Sequence, residues 1–217
     1  MDLERARFNM IEQQIKPWQV LDPAVEKQLF MVKREQFVPP QYRNLAFADT
    51  LIPLGHNACM LAPGVEARMA NALRLKSSDR VLEIGAGSGF MAALLAAGTR
   101  HVDTIEIVPE LADLARRNLQ RAGVENVSVL VGDGLDPKLL EDSYNVIVLS
   151  GALPLLPTHL IAHLKLGGRL VAIVGDELNM EVQLVTRESQ SSSTAVPLFE
   201  TVAPFLIEGQ RQSAFVL

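Results

Sequence analysis

From Arg80 onward the chain switches between short apolar runs and helical segments, and that alternation constrains its fold more than any other feature. "RVLEIG" reads as a buried strand, "GFMAALLAA" as an apolar helix closed by Gly98, and "HVDTIEI" as a second strand. "PELADLARRNLQRAG" follows as an amphipathic helix with proline near its start and glycine just past its end. "NVSVLVGDG" and "YNVIVLS" read as strands, "PTHLIAHLKLGG" as a helix and "RLVAIVGD" as a strand after it. Strands alternating with helices predict a parallel sheet with helices on both faces, because each parallel connection needs a crossover long enough to hold a helix. The tail changes character. "EVQLVTRE", the polar loop "SQSSST", then "PLFETVAPFL" and "SAFVL" are expected to form strands at the sheet edge.

The residues before Arg80 read as helices and loops. Leu3, Phe8, Ile11 and Ile15 have helical spacing, and Pro17 stops that helix. Asp22 followed by Pro23 is an N-cap with proline at the first helical position, opening "PAVEKQLFMV". A long proline-punctuated stretch from Phe37 to Pro63 is expected to be irregular, and "GVEARMANALRL" returns to a helix ending near Leu75. With 217 residues, 48% of them hydrophobic, one domain with a real core is expected over 1–217. Within it, 1–76 forms an N-terminal helical or lid part, and 77–217 an α/β core that binds the cofactor.

The loop "GAGSG" (Gly85 to Gly89) sits where a strand meets a helix. Glycines there permit a sharp turn and let a ligand approach the backbone, while the helix N-terminus offers unpaired N–H groups. Nucleotides of several kinds use this corner, at the carboxyl ends of the strands. The dinucleotide pattern G-x-G-x-x-G needs glycine at 90, where this chain has Phe90, and no lysine follows to make a triphosphate loop. Glu106 ends the second strand roughly 20 residues beyond the first glycine, where a carboxylate can accept both ribose hydroxyls of an adenosine ligand. "GDG" places Asp133 and Gly134 at the end of the third strand, within reach of an adenine amino group. Glu83 adds negative charge suited to a ligand with an ammonium and a sulfonium, and unsuited to a pyrophosphate. Three acids at one crevice describe S-adenosylmethionine better than a nicotinamide dinucleotide.

Twenty-five acidic against twenty basic residues give a net charge of −5, which argues against a nucleic-acid partner. No apolar run approaches the roughly 20 residues a membrane span requires, so no membrane partner is expected. The single cysteine, Cys59, excludes an intrachain disulfide and a multi-thiolate zinc site, and His101, His159 and His163 lack ligand neighbours at metal spacing. No metal is expected, and a reducing, cytoplasmic setting is. The oligomeric state is not legible.

Beyond the glycine loop, "MIEQQI", "VKREQFVPPQYRNLAFADT", "IPLGH", "VLEIGAGSGFMAALLA", "TIEIVPELADLARRNL", "GDG" and "LKLGGRLVAIVG" together resemble the blocks of the protein-L-isoaspartate O-methyltransferases, in that family's order and spacing. The resemblance covers nearly the whole chain. It implies a Rossmann-like, seven-stranded, mostly parallel sheet of the class I methyltransferase type. It also implies S-adenosylmethionine as donor, S-adenosylhomocysteine as product, and methyl esterification of isoaspartyl carboxylates in damaged proteins or peptides. By the same resemblance Glu83, Gly85, Gly87, Ser88 and Gly89 match the donor-binding loop, Glu106 the ribose acid, and Asp133 with Gly134 the adenine side.

The chain departs from the family before the loop. Where the family reads G-x-x-Q-T-I-S-Q-P, this sequence reads "GHNACMLAP", so Ala58 stands for the glutamine, Cys59 for the threonine and Leu61 for the serine used near the reacting carboxylate. His56, Asn57 and Cys59 are the remaining candidates there, and no catalytic residue is assigned. The nucleophile, a carboxylate, is already ionised at neutral pH. Losing one hydroxyl contact to it removes about 1.5–3 kcal/mol, or roughly 10- to 150-fold in rate if felt fully in the transition state. Two readings stay open on sequence alone: a working isoaspartyl methyltransferase, or a relative that binds the donor but acts on another acceptor or on none.

Overall fold

The alternating segments become one sheet in which apolar side chains sort to two faces. The structure, a computed structural model, describes residues 2–140 and 143–207. Its main sheet has seven strands: β3 (Arg80–Ile84), β4 (His101–Glu106), β5 (Val127–Val131), β6 (Tyr144–Leu153), β7 (Leu164–Gly175), β8 (Met180–Arg187) and β9 (Ser193–Thr201), in the order β5-β4-β3-β6-β7-β8-β9. β5, β4, β3, β6 and β7 are mutually parallel, and β8 and β9 add on antiparallel. In β3, Val81 joins one apolar cluster and Leu82 and Ile84 the other. β6 repeats this with Val146 and Val148 against Ile147 and Leu149, the period-two sorting of a strand buried on both sides.

The helices divide unequally between the faces. α3 (Pro63–Leu73), α4 (Phe90–Ala96) and α5 (Pro109–Arg121) supply Met69, Leu73, Leu94, Leu95 and Leu119 to the first cluster. Met10, Ile11 and Ile15 belong to that same cluster, as do Val25 and Leu29 of α2 (Pro23–Met31). The segments before Arg80 therefore share the core of the α/β part. On the opposite face the only α-helix among the described residues is the short α6 (Thr158–Ile161). The expected helix over 157–168 is corrected to one turn, because Leu164 to Gly168 already run as strand and Tyr144 pairs with Leu164. Likewise α1 (Leu3–Asn9) does not continue as α-helix to Ile15; the chain widens to a π-helical turn over Met10–Ile15 and tightens to 3-10 at Lys16–Trp18, where Pro17 interrupts.

The stretch expected to be irregular contains a hairpin, β1 (Ile52–Gly55) with β2 (Ala58–Met60). Its two loop residues, His56 and Asn57, both have positive φ (53° and 58°), as a two-residue primed turn requires. "EVQLVTRE" forms β8, an interior strand, and β9 at the edge begins within the polar run, at Ser193. "SAFVL" lies outside the described residues. Among the described residues, no helix is long and apolar enough to cross a membrane.

Candidate functional site

β3 has a parallel neighbour on each side, β4 earlier in the sheet order and β6 later, so the crossovers leave it in opposite directions. A crevice opens at such a switch point, outside the carboxyl ends of the strands. Here it is a cavity lined by Gly85 and Gly87 after β3, Glu106 at the end of β4, Asp133 and Gly134 after β5, and Ser150 in β6. Five of the eight residues expected to bind the cofactor therefore meet in one place.

The loop gets its shape from its glycines. Gly85, Gly87 and Gly89 have φ of 95°, 51° and 83°, a region other residues enter only with strain. Ser88 and Gly89 do not reach the cavity. Ser88 Oγ accepts from the Phe90 N–H, and its carbonyl accepts from the Asn118 side chain at 2.8 Å, tying the turn to α5. At Gly89 a methyl group would sit 3.3 Å from the Ala115 backbone. Gly89→Ala is expected to lower stability by about 1–3 kcal/mol through crowding and the positive φ, measurable by urea unfolding; an unchanged midpoint would contradict this packing.

Glu106 is buried, and each of its oxygens holds one backbone donor: Gly87 N–H at 2.8 Å and Val108 N–H at 3.1 Å. A carboxylate has about four acceptor positions, so one remains on each oxygen for a diol in the cavity. Asp133 is fixed in the same way, Oδ1 accepting from Leu135 N–H at 2.9 Å. Both carboxylates are locked in orientation without being used up, and among the described residues no basic side chain lines the cavity. That donor and acceptor set fits an adenosine ligand with a cationic group and disfavours a phosphate.

Glu83 does not face the crevice as expected. It is fully buried (0% exposed) beneath the loop, where Thr104 Oγ1 and Ser150 Oγ each donate to it at 2.7 Å. Burial pushes its carboxyl up and the two hydroxyls pull it only partly back, so that it stands at about 8.

The hairpin forms the other wall through Asn57, Ala58 and Cys59. His56 sits at its exposed turn and does not line the cavity. Burial pushes the Cys59 thiol up to about 11, with Glu66 adding to the rise, so it is not a thiolate nucleophile at neutral pH. Leu61 is 3% exposed and belongs to the first apolar cluster, while its carbonyl accepts from Arg34 Nη2 at 2.6 Å. Leu61 does not line the cavity. Leu61→Ser is accordingly expected to lose about 2–4 kcal/mol of stability from the cavity it opens, with no gain in methyl transfer. A rise in turnover would show that position 61 does face the acceptor.

Two contributors to the cavity were not legible as site residues. Ser150 and Gly151 line it from β6, and Pro204 to Leu206 cross over it, bonded to Ala152 through Ala152 N–H to Pro204 O at 2.8 Å and Leu206 N–H to Ala152 O at 2.9 Å. A methyl group at Gly151 would lie 2.8 Å from Leu206, which explains a glycine inside that strand. The signal for Ser150 was its place as the last residue of the expected strand "YNVIVLS", which in the fold runs on to Leu153.

Comparison with known proteins agrees with this architecture. The profile of the family described as Protein-L-isoaspartate(D-aspartate) O-methyltransferase matches residues 5–203. The chain is 42% identical over 187 residues to a protein-L-isoaspartate O-methyltransferase of Methanoculleus marisnigri, covering 86% of this chain and 85% of that one. It is 38% identical to the protein of the same name from Hyperthermus butylicus, covering 88% and 85%. A solved Plasmodium falciparum structure described as a protein-L-isoaspartate O-methyltransferase with bound S-adenosyl-L-homocysteine superposes with a TM-score of 0.77 at 18% identity, covering 94% of this chain and 97% of that one. The seven-stranded sheet, the glycine loop and the sequence likeness along nearly the whole chain converge: this chain belongs to the protein-L-isoaspartate O-methyltransferase family.

Proposed function

We propose that the protein transfers a methyl group from S-adenosylmethionine to isoaspartyl carboxylates of damaged proteins or peptides. S-adenosylmethionine supplies a methyl group on a sulfur that leaves readily, so the protein is asked mainly to position the reactants and exclude water. The observation that carries the reading is the meeting of Gly85, Gly87, Glu106 and Asp133 in one cavity closed on its far side by the hairpin. Glu106 would hold the ribose hydroxyls through its two unused acceptor positions. Asp133 with the Gly134 backbone would hold the adenine, and the glycine loop would take the amino-acid end. Asn57, at the hairpin turn, presents the polar side chain on the acceptor wall. We read residues 1–76 as that wall and 77–217 as the donor-binding core. No nucleic-acid partner is proposed, and a reducing, cytoplasmic setting fits a chain with one cysteine.

Incubating the protein with donor and an isoaspartyl peptide, and following the peptide by mass spectrometry, tests this. An added methyl group that mild alkali removes supports carboxyl esterification. No ester from a sample that binds the donor would transfer the reading to a different acceptor.

A further inference from the structure

We propose that Glu83 lets the site tell donor from product: its buried carboxyl gives up its proton when a ligand with a cationic sulfur enters the cavity beyond Ser150, and keeps more of it when that sulfur is a neutral thioether. The inference rests on the methyl-donor reading above.

The geometry is that of a carboxyl group without a counter-cation. Glu83 is fully buried, and its two partners are the neutral hydroxyls of Thr104 from β4 and Ser150 from β6. The charged groups that act on it are acids, Glu66 from α3 and Glu106 at the end of β4, and both oppose its ionisation. Arg34, the cation beside Glu66, is engaged by that carboxylate and by the Ala46 and Leu61 carbonyls. Among the described residues no ion pair reaches Glu83. A buried carboxyl in such surroundings stays protonated at neutral pH, consistent with its rise to about 8.

Ser150 carries this group to the cavity. Its hydroxyl touches Glu83, and the residue lines the space that the ligand fills. A positive charge placed there is the missing counter-cation, and it favours the ionised form. S-adenosylmethionine carries a net positive charge at neutral pH and S-adenosylhomocysteine carries none. The two ligands should therefore differ in the protons they release, and the preference for the donor should strengthen as pH rises toward about 8.

Isothermal titration calorimetry of the full chain with each ligand at pH 7, in phosphate and in Tris, counts the protons exchanged from the buffer dependence of the heat. S-adenosylmethionine is expected to release roughly 0.5–0.9 proton per site, and S-adenosylhomocysteine about half as many or fewer. In Glu83→Gln the difference should shrink to what the ligands' own ammonium groups exchange, and the pH dependence of the donor-to-product affinity ratio should fall by about tenfold per unit by which the two Glu83 complexes differ. The ligands' own ammonium groups titrate against both proteins alike, so the comparison between proteins isolates residue 83. Ser150→Ala is the second variant and should shrink the difference even if Glu83→Gln folds poorly. Equal proton counts for the two ligands, or a difference that is undiminished in Glu83→Gln, would overturn the inference. Absence of binding by either ligand would overturn the donor reading and this inference with it.

Discussion

Replacing Arg34 with methionine is expected to lower stability by about 3–5 kcal/mol, or roughly 6–20 °C in melting temperature for a chain of this size. Arg34 is 1% exposed, and each part of its guanidinium is committed. Nη1 pairs with Glu66, Nη2 donates to the Leu61 carbonyl, and Nε donates to the Ala46 carbonyl at 3.0 Å, with the group lying over the Phe90 ring. Methionine fills much of the same volume, so the loss comes from stranding Glu66 and two carbonyls in a dry interior rather than from a void. Arg34→Met combined with Glu66→Leu should recover most of the loss, since removing both charges removes the orphan. Urea unfolding of the single and double variants measures this; a single-variant loss under about 1 kcal/mol would show that the cluster is solvated. The pair also clamps the chain at Leu61, just past β2, so the single variant should raise the KM for an acceptor peptide at temperatures where it remains folded.

Glu106→Gln is expected to weaken binding of S-adenosylmethionine by on the order of 100-fold. The substitution keeps the shape and removes the charge. It also turns an amide NH2 toward either Gly87 N–H or Val108 N–H, both of which now donate to the carboxylate. One backbone donor loses its partner, and the remaining acceptor positions no longer belong to an anion. Because donor and product share the ribose, both ligands should weaken together, which separates this residue from Glu83. Equilibrium dialysis with each ligand tests it, and undiminished affinity would remove Glu106 from the ribose site.

Strands such as β6 could be read because a strand buried on both faces is written as a nearly unbroken apolar run, and Gly98 and Gly123 punctuate the helices between β3, β4 and β5. The hairpin at 52–60 could not, since His56 is an unusual residue for a primed turn and Pro53 sits inside its first strand. The helix expected over 157–168 failed for a similar reason: "HLKLGG" fits either period, and pairing with β6 decides for strand. At the site, Glu106 and Asp133 follow from strand-end position, which sequence fixes well. Glu83 and Leu61 did not, because which way a side chain leaves a strand or an extended wall depends on the pleat and on partners such as Ser150 and Arg34, distant in the chain. Leu61 breaks the family pattern as a letter, yet in the fold it is a core residue whose carbonyl does the visible work.

The most direct test of the central claim is the ratio of kcat/KM for an isoaspartyl peptide to that for the same peptide with a normal aspartyl residue, measured with labelled S-adenosylmethionine. The account predicts selective turnover of the isoaspartyl form by the protein as it stands, with Leu61 in place. Equal rates on the two peptides, or none on either while the donor binds, would contradict it.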